Sequence, residues 1–298
     1  MWDEGKQFWV TVGAVVLIAG IFIWPLLADP YAISSNDDWT QMLAFQAYLE
    51  DQFTMHFSLP MRSHMLGGGF PIIGHPEYPI ISPLTLTTLV FGAVLGVKIN
   101  LLLVYALGLF GMWSLCHSTY KLRPCSAAYA TLIFAVAGWY PTILYSGNYP
   151  QIYYMWFPLL AYLLLDERLF DGRLILATLV AATMLTDGHL NSICCFVMLA
   201  LWAAFRSRKT LARVAVFAVC TGVVAAFKLL PTIALLLVED RSIDVYSTAT
   251  IETATFSWEA FGGTGADMRS VDGFALGPVP WLLALGGVAL WRKTWRLL

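Results

Sequence analysis

Apolar runs of bilayer-crossing length recur along this 298-residue chain, and lysine and arginine gather in alternate joints between them. The first run, residues 8–27, is about 20 residues long, enough to cross a hydrocarbon core at a rise of about 1.5 Å per residue. Later runs fall at roughly 97–118, 124–145, 150–165, 173–187, 190–205, 211–230 and 276–291. Such a chain has few options, because lipid supplies no partner for a backbone N–H or C=O and each must be paired within the protein. Helices are therefore the expected form. Charged residues are 12% and hydrophobic residues 59% of the sequence, far from the roughly 25% charge of a soluble domain. The net charge of −2 offers no basic surface for nucleic acid.

The basic joints hold Lys121 and Arg123, then Arg168 and Arg173, then Arg206, Arg208, Lys209 and Arg213, and finally Arg292, Lys293 and Arg296. The intervening joints are nearly free of them, with Arg62 in the first loop and Arg241 and Arg269 in the last. The positive-inside rule then predicts about eight crossings with both termini cytoplasmic. One membrane domain over 1–298 is expected, with an extracytoplasmic first loop at 29–96 and a second at 231–275. The stretch 80–96 would invert every later loop if it crossed, and Pro79, Pro83, Gly92 and Gly96 loosen it. It reads as a re-entrant segment buried against protein. The leading charges Asp3, Glu4 and Lys6 do not resemble a signal peptide's basic start, so the first helix is read as uncleaved. The tight joint at 187–190 predicts neighbouring antiparallel helices on either side. Cys116, Cys125, Cys194, Cys195 and Cys220 lie in or beside apolar runs without metal-like spacing and read as small apolar residues.

Within the first loop, Ser34-Ser35-Asn36-Asp37-Asp38-Trp39 precedes an amphipathic helix predicted from Trp39 to about Phe53. In this topology Asp37, Asp38, His75, Glu77, Asp187, His189 and Lys228 all fall near outer helix ends, and Arg241 lies just beyond. Each has a structural alternative. Asp37 or Asn36 suits a helix cap; His75, Glu77 and His189 suit turns; Lys228 suits snorkelling to headgroups. Together they suggest a site: carboxylates supply a base or a cation site, and lysine and arginine neutralise a phosphate. A group carried on a lipid phosphate would need both. Asp38, Glu77 and His75, with waters, would also suit magnesium or manganese.

Four stretches resemble the bacterial YfhO-type membrane proteins, within the broader GT-C class of polyprenyl-phosphate-sugar-dependent glycosyltransferases. They are DDWTQ, with Asp38 and Gln41; LPMRSHMLGGGFPIIGHPEYPIISPLTL; TDGHLNSICCFVMLAL; and AAFKLLPTIALLLVEDRS, together spanning roughly residues 8–260. The resemblance implies a helical fold in the bacterial plasma membrane with its site in the first outer loop. It implies Asp38 or Asp37 as catalytic base, with His75, Glu77 and His189 lining the pocket and Lys228 and Arg241 facing the donor phosphate. The adjacent Asp-Asp pair replaces the family's spaced acids, and Arg62 and Ser63 stand where it carries tryptophan. Family members are often longer, with further helices, so this chain is expected to be a fragment, a minimal version or a subunit whose missing helices come from a partner. The expected function is sugar transfer from a polyprenyl-phosphate donor to an extracytoplasmic acceptor. The alternatives are a non-catalytic membrane subunit of a larger complex and a transporter of lipid-linked glycan.

Overall fold

The structure, a computed structural model, describes residues 4–29, 31–32, 37–63, 71–76, 78–79, 82–136, 139–165, 169–188 and 192–238. Among them every regular element is helical. Two helices among the described residues are long and apolar enough to cross a bilayer. One is residues Trp9–Ala28 of α1 (Glu4–Ala28). The other is Ala93–Thr119, made of α4 (Ala93–Ser114) and a π-helical turn at Leu115–Thr119. A third candidate is bent by 74°, α10 (Arg208–Val224) followed by α11 (Ala226–Val238). The described residues are thus all-helical, and their apolar helices mark a membrane-associated protein. The expected run at 276–291 lies outside the described residues.

Between α1 and α4 the first loop carries α2 (Asp37–Thr54) and α3 (Thr85–Phe91). In α2, Trp39, Met42, Phe45, Gln46 and Leu49 are buried, a single face at helical spacing, as the amphipathic pattern predicts. Over 80–96, α3 has only seven residues, about 10 Å of rise, too short to cross. It folds back along α4 through Gly92, whose φ of +80° is open to glycine without strain. Glu50 of α2 accepts from the Ala93 amide at 2.9 Å and so caps α4.

The run at 124–145 is not one rod. It divides into α5 (Pro124–Ala135), started by a proline at its first position, and α6 (Trp139–Ser146). The run at 150–165 opens as a 3-10 helix, Tyr149–Trp156, before becoming α7 (Phe157–Leu164). α5, the 3-10 helix and α7 pack on α4, and α8 (Gly172–Thr186) packs on α7; Gly111 of α4 lets α7 close in, since a Cβ there would meet Leu159 Cα at 2.5 Å. The expected pairing of α8 with α9 (Ser192–Arg206) is corrected. They touch only lightly, because α10 lies against both and α8 rests mainly on α10 and α7. Polar tips of buried aromatics reach backbone carbonyls: Tyr105 to Ala135 at 3.0 Å, Tyr140 to Leu101 at 2.9 Å, and Trp156 to Val104 at 3.2 Å. All five cysteines are free thiols.

Buried charges are matched in two separate places. At one end Arg213 is fully buried and donates to the Leu163 carbonyl at 3.0 Å and to Asp171 at 2.7 Å, while Tyr120 stacks on Trp202. Lys121, Arg123, Arg173, Arg206, Arg208 and Lys209 belong to the same set of joints. At the other end, buried Lys98 at the start of α4 donates to the carbonyls of Leu26 and Asp29, closing the end of α1. There the first loop, the turn after α6, the joint after α8 and the start of α11 come together.

Candidate functional site

Lys228 stands one turn into α11, beyond the bend, with 1% of its surface exposed. A lysine ammonium carries three donors and is stable at such depth only when they are matched. Two are: Nζ donates to the carbonyl oxygens of His75 at 2.6 Å and Tyr78 at 2.7 Å. The turn containing the HPEYP sequence is thereby clamped onto α11. Its own packing supports the seat. Tyr78 donates to the Phe45 carbonyl of α2 at 3.0 Å, and the rings of Tyr78 and His75 lie 4.8 and 5.7 Å from that of Phe45.

Asp187 follows α8 directly and is 2% exposed. Its Oδ2 accepts from the Ser82 hydroxyl of the first loop and from the Tyr153 hydroxyl at 3.4 Å. Its Oδ1 is buried and has no hydrogen-bond partner among the described residues. Lys228 acts on it through its charge rather than by a direct ion pair, since its donors go to carbonyls. Asp187 lies in the joint outside the apolar helix. Burial pushes its carboxyl up to about 7, against the opposing effects of the Ser82 hydroxyl, the Lys228 charge and the Tyr153 hydroxyl.

From Asp187 a line of side chains runs to the start of α2. The Tyr153 hydroxyl lies 3.5 Å from that of Tyr149, and the Tyr149 ring sits 6.5 Å from Trp39. Trp39 Nε1 donates to the Leu144 carbonyl of α6 at 2.7 Å. Gly147 completes the dock: its φ is +82°, and a Cβ there would lie 2.6 Å from the Trp39 nitrogen and 3.0 Å from Asp38 Cβ. Asp38 itself is exposed at the surface of this end.

Of the residues expected at the site, then, Asp38, His75 and Lys228 are placed at one end of the molecule, His75 and Lys228 in contact and Asp38 at the end of the aromatic line. Asp37 opens α2, and its side chain lies outside the described residues, as do Glu77, His189 and Arg241. Among the described residues no three His, Cys, Asp or Glu side chains converge to hold a metal ion. Of the expected magnesium or manganese set, Asp38 lies by Gly147 and His75 by Phe45 and Lys228, while Glu77 lies outside the described residues. Sequence reasoning missed Ser82, Tyr149 and Tyr153. The Tyr149–Tyr153 spacing, together with an aspartate closing an apolar helix before Gly188, was the available signal. No family model, no curated protein and no solved structure matches the chain.

Proposed function

We propose that this protein is a YfhO-like membrane glycosyltransferase of the GT-C type, moving a sugar from a polyprenyl-phosphate carrier to an extracytoplasmic acceptor. The observation that supports the reading is that buried Lys228 clamps the turn of His75 and Tyr78, while the line Asp187, Tyr153, Tyr149 and Trp39 leads from beside Lys228 to exposed Asp38. By the positive-inside rule the basic end faces the cytoplasm and the Asp38 end faces outward, in a bundle of about eight crossings.

In the proposed reaction Asp38 accepts the proton of the acceptor hydroxyl as its oxygen bonds to the anomeric carbon. The bond from that carbon to the carrier phosphate breaks, and the phosphate leaves with the electron pair. Positive charge is what that departure requires. Lys228 holds the turn of His75 and Tyr78 in place, and the resemblance gives its remaining donor and Arg241 the role of neutralising the phosphate. The test is transfer of labelled sugar from a polyprenyl-phosphate donor in membranes. Asp38→Asn keeps the side chain's size and removes its basicity, so transfer should fall by about 10²–10⁴-fold without loss of expression. Unchanged transfer in both Asp38→Asn and Asp37→Asn would overturn the acidic-base mechanism.

One observation favours a second reading, a non-catalytic subunit. The two most buried charges at this end, Lys228 and Asp187, are bound to the protein's own groups, as a purely structural clasp would be. Absence of transfer by the wild-type chain in the same assay would select that reading.

A further inference from the structure

Asp187 has no assigned role in the reaction above, and its surroundings define one. The groups that face it come from three elements: Ser82 of the first loop, Tyr153 and behind it Tyr149 of the 3-10 helix, and Lys228 of α11. Ser82 and Tyr153 both converge on Oδ2, and Oδ1 is left with no partner among the described residues. Lys228, the one cation whose charge acts on it among the described residues, gives donors to the His75 and Tyr78 carbonyls instead of to the carboxylate. An ionised carboxylate so placed is buried without a direct counter-ion among the described residues, a situation that costs many times more than burying the neutral acid. The ligand that resolves it is the smallest available, and it needs no cavity.

We propose that Asp187 is a proton-binding site, occupied while the first loop is seated through Ser82 and Lys228 and emptied when that loop lifts. The reciprocity is obligatory. If seating the loop strengthens proton binding at Asp187, then proton binding must strengthen seating by the same factor. Lifting Ser82 away hydrates the carboxyl, which then ionises as an ordinary surface aspartate does. The site is therefore a proton-linked latch on the segment that carries His75, and it does not depend on sugar transfer.

The decisive measurement is a pH titration by infrared difference spectroscopy on the full chain in lipid nanodiscs. A protonated-carboxyl C=O band should be present at neutral pH, disappear as pH rises, and be absent from Asp187→Asn. Ser82→Ala removes a hydrogen bond that favours the charged form, so it should move the titration upward by about one pH unit, and Tyr153→Phe should move it the same way by less. These two variants keep the test decisive where Asp187→Asn does not fold. Amide exchange over 71–79, corrected for intrinsic rates, should lose protection across the same pH range in the wild type and show no such step in Asp187→Asn. A band that titrates in the ordinary aspartate range, or that Ser82→Ala leaves in place, would overturn the site. A titration with no matching change in amide protection would overturn the latch. Sugar transfer is not read in any arm, so failure here is distinct from failure of the glycosyltransferase reading.

Discussion

Lys228 Nζ lies 2.6 Å from the carbonyl oxygen of His75, joining residues 153 positions apart through a donor that is almost wholly shielded from solvent. With the second bond to Tyr78, one side chain fixes how the first loop meets the last described helix.

Lys228→Met keeps an apolar stem and deletes the donors. It leaves two carbonyls of the 75–78 turn unmatched, each at the cost of a lost charge-assisted hydrogen bond, about 1.5–3 kcal/mol. The detergent-solubilised protein should therefore melt several degrees lower, and the loop should become protease-sensitive before the helices do. Lys228→Arg should recover little, because a planar fork does not reproduce a compact ammonium between two carbonyls. A wild-type melting temperature in Lys228→Met would show that the clasp contributes nothing to folding.

Gly147→Ala tests the dock of α2. The added Cβ meets the Trp39 nitrogen at 2.6 Å, and the backbone there has a φ that alanine adopts only with strain. The cost should be about 1–3 kcal/mol, and the start of α2 must shift. The expected signature is a lowered melting temperature together with quenched or red-shifted tryptophan emission as Trp39 leaves its buried site. Gly172→Ala is the matched control, since a Cβ there meets nothing within 4 Å.

How much of this was legible in the sequence depends on the range of the interactions. The α2 face, the shortness of α3 and the segregation of lysine and arginine follow from local period, glycine and proline placement and charge, and each reads off neighbouring residues. The split of α5 from α6 and the 3-10 opening of α7 are set by how Tyr140, Tyr149 and Tyr153 pack against α4 and one another, which no local pattern encodes. The same holds at the site. Lys228 was recognisable as a charge among apolar residues, whereas its acceptors are carbonyls, which have no signature in sequence. Asp187 was legible as an acid at a helix end, and its burial was not.

Labelling should place the two ends on opposite sides of the membrane. Single cysteines at Ser58, exposed beyond α2, and Ser207, which caps α10 in the arginine-rich joint, are read in a background lacking native cysteines. A membrane-impermeant thiol reagent applied to intact cells should modify position 58 and spare position 207 until the membrane is opened. Labelling of both from the same side would rule out the proposed topology.

Asp187 also predicts how stability should vary with pH. Its carboxyl ionises at about 7 in the folded protein, raised by burial, and near 4 in an unfolded chain. The folded state therefore binds the proton more tightly between those values. The stability that Asp187 contributes is fully present below about pH 4 and is lost as pH rises through about 7. Asp187→Asn carries a neutral group of similar shape at every pH and should lack this term. Melting temperature, measured from pH 5 to pH 8.5 for both proteins, isolates it: the wild type should fall relative to Asp187→Asn as pH rises, most steeply between about pH 5 and 6, and level off above about 7. Parallel curves, or a wild type that gains on the variant with rising pH, would mean that Asp187 is ionised in the folded protein and that the Ser82 hydroxyl, the Lys228 charge and the Tyr153 hydroxyl match or outweigh its burial.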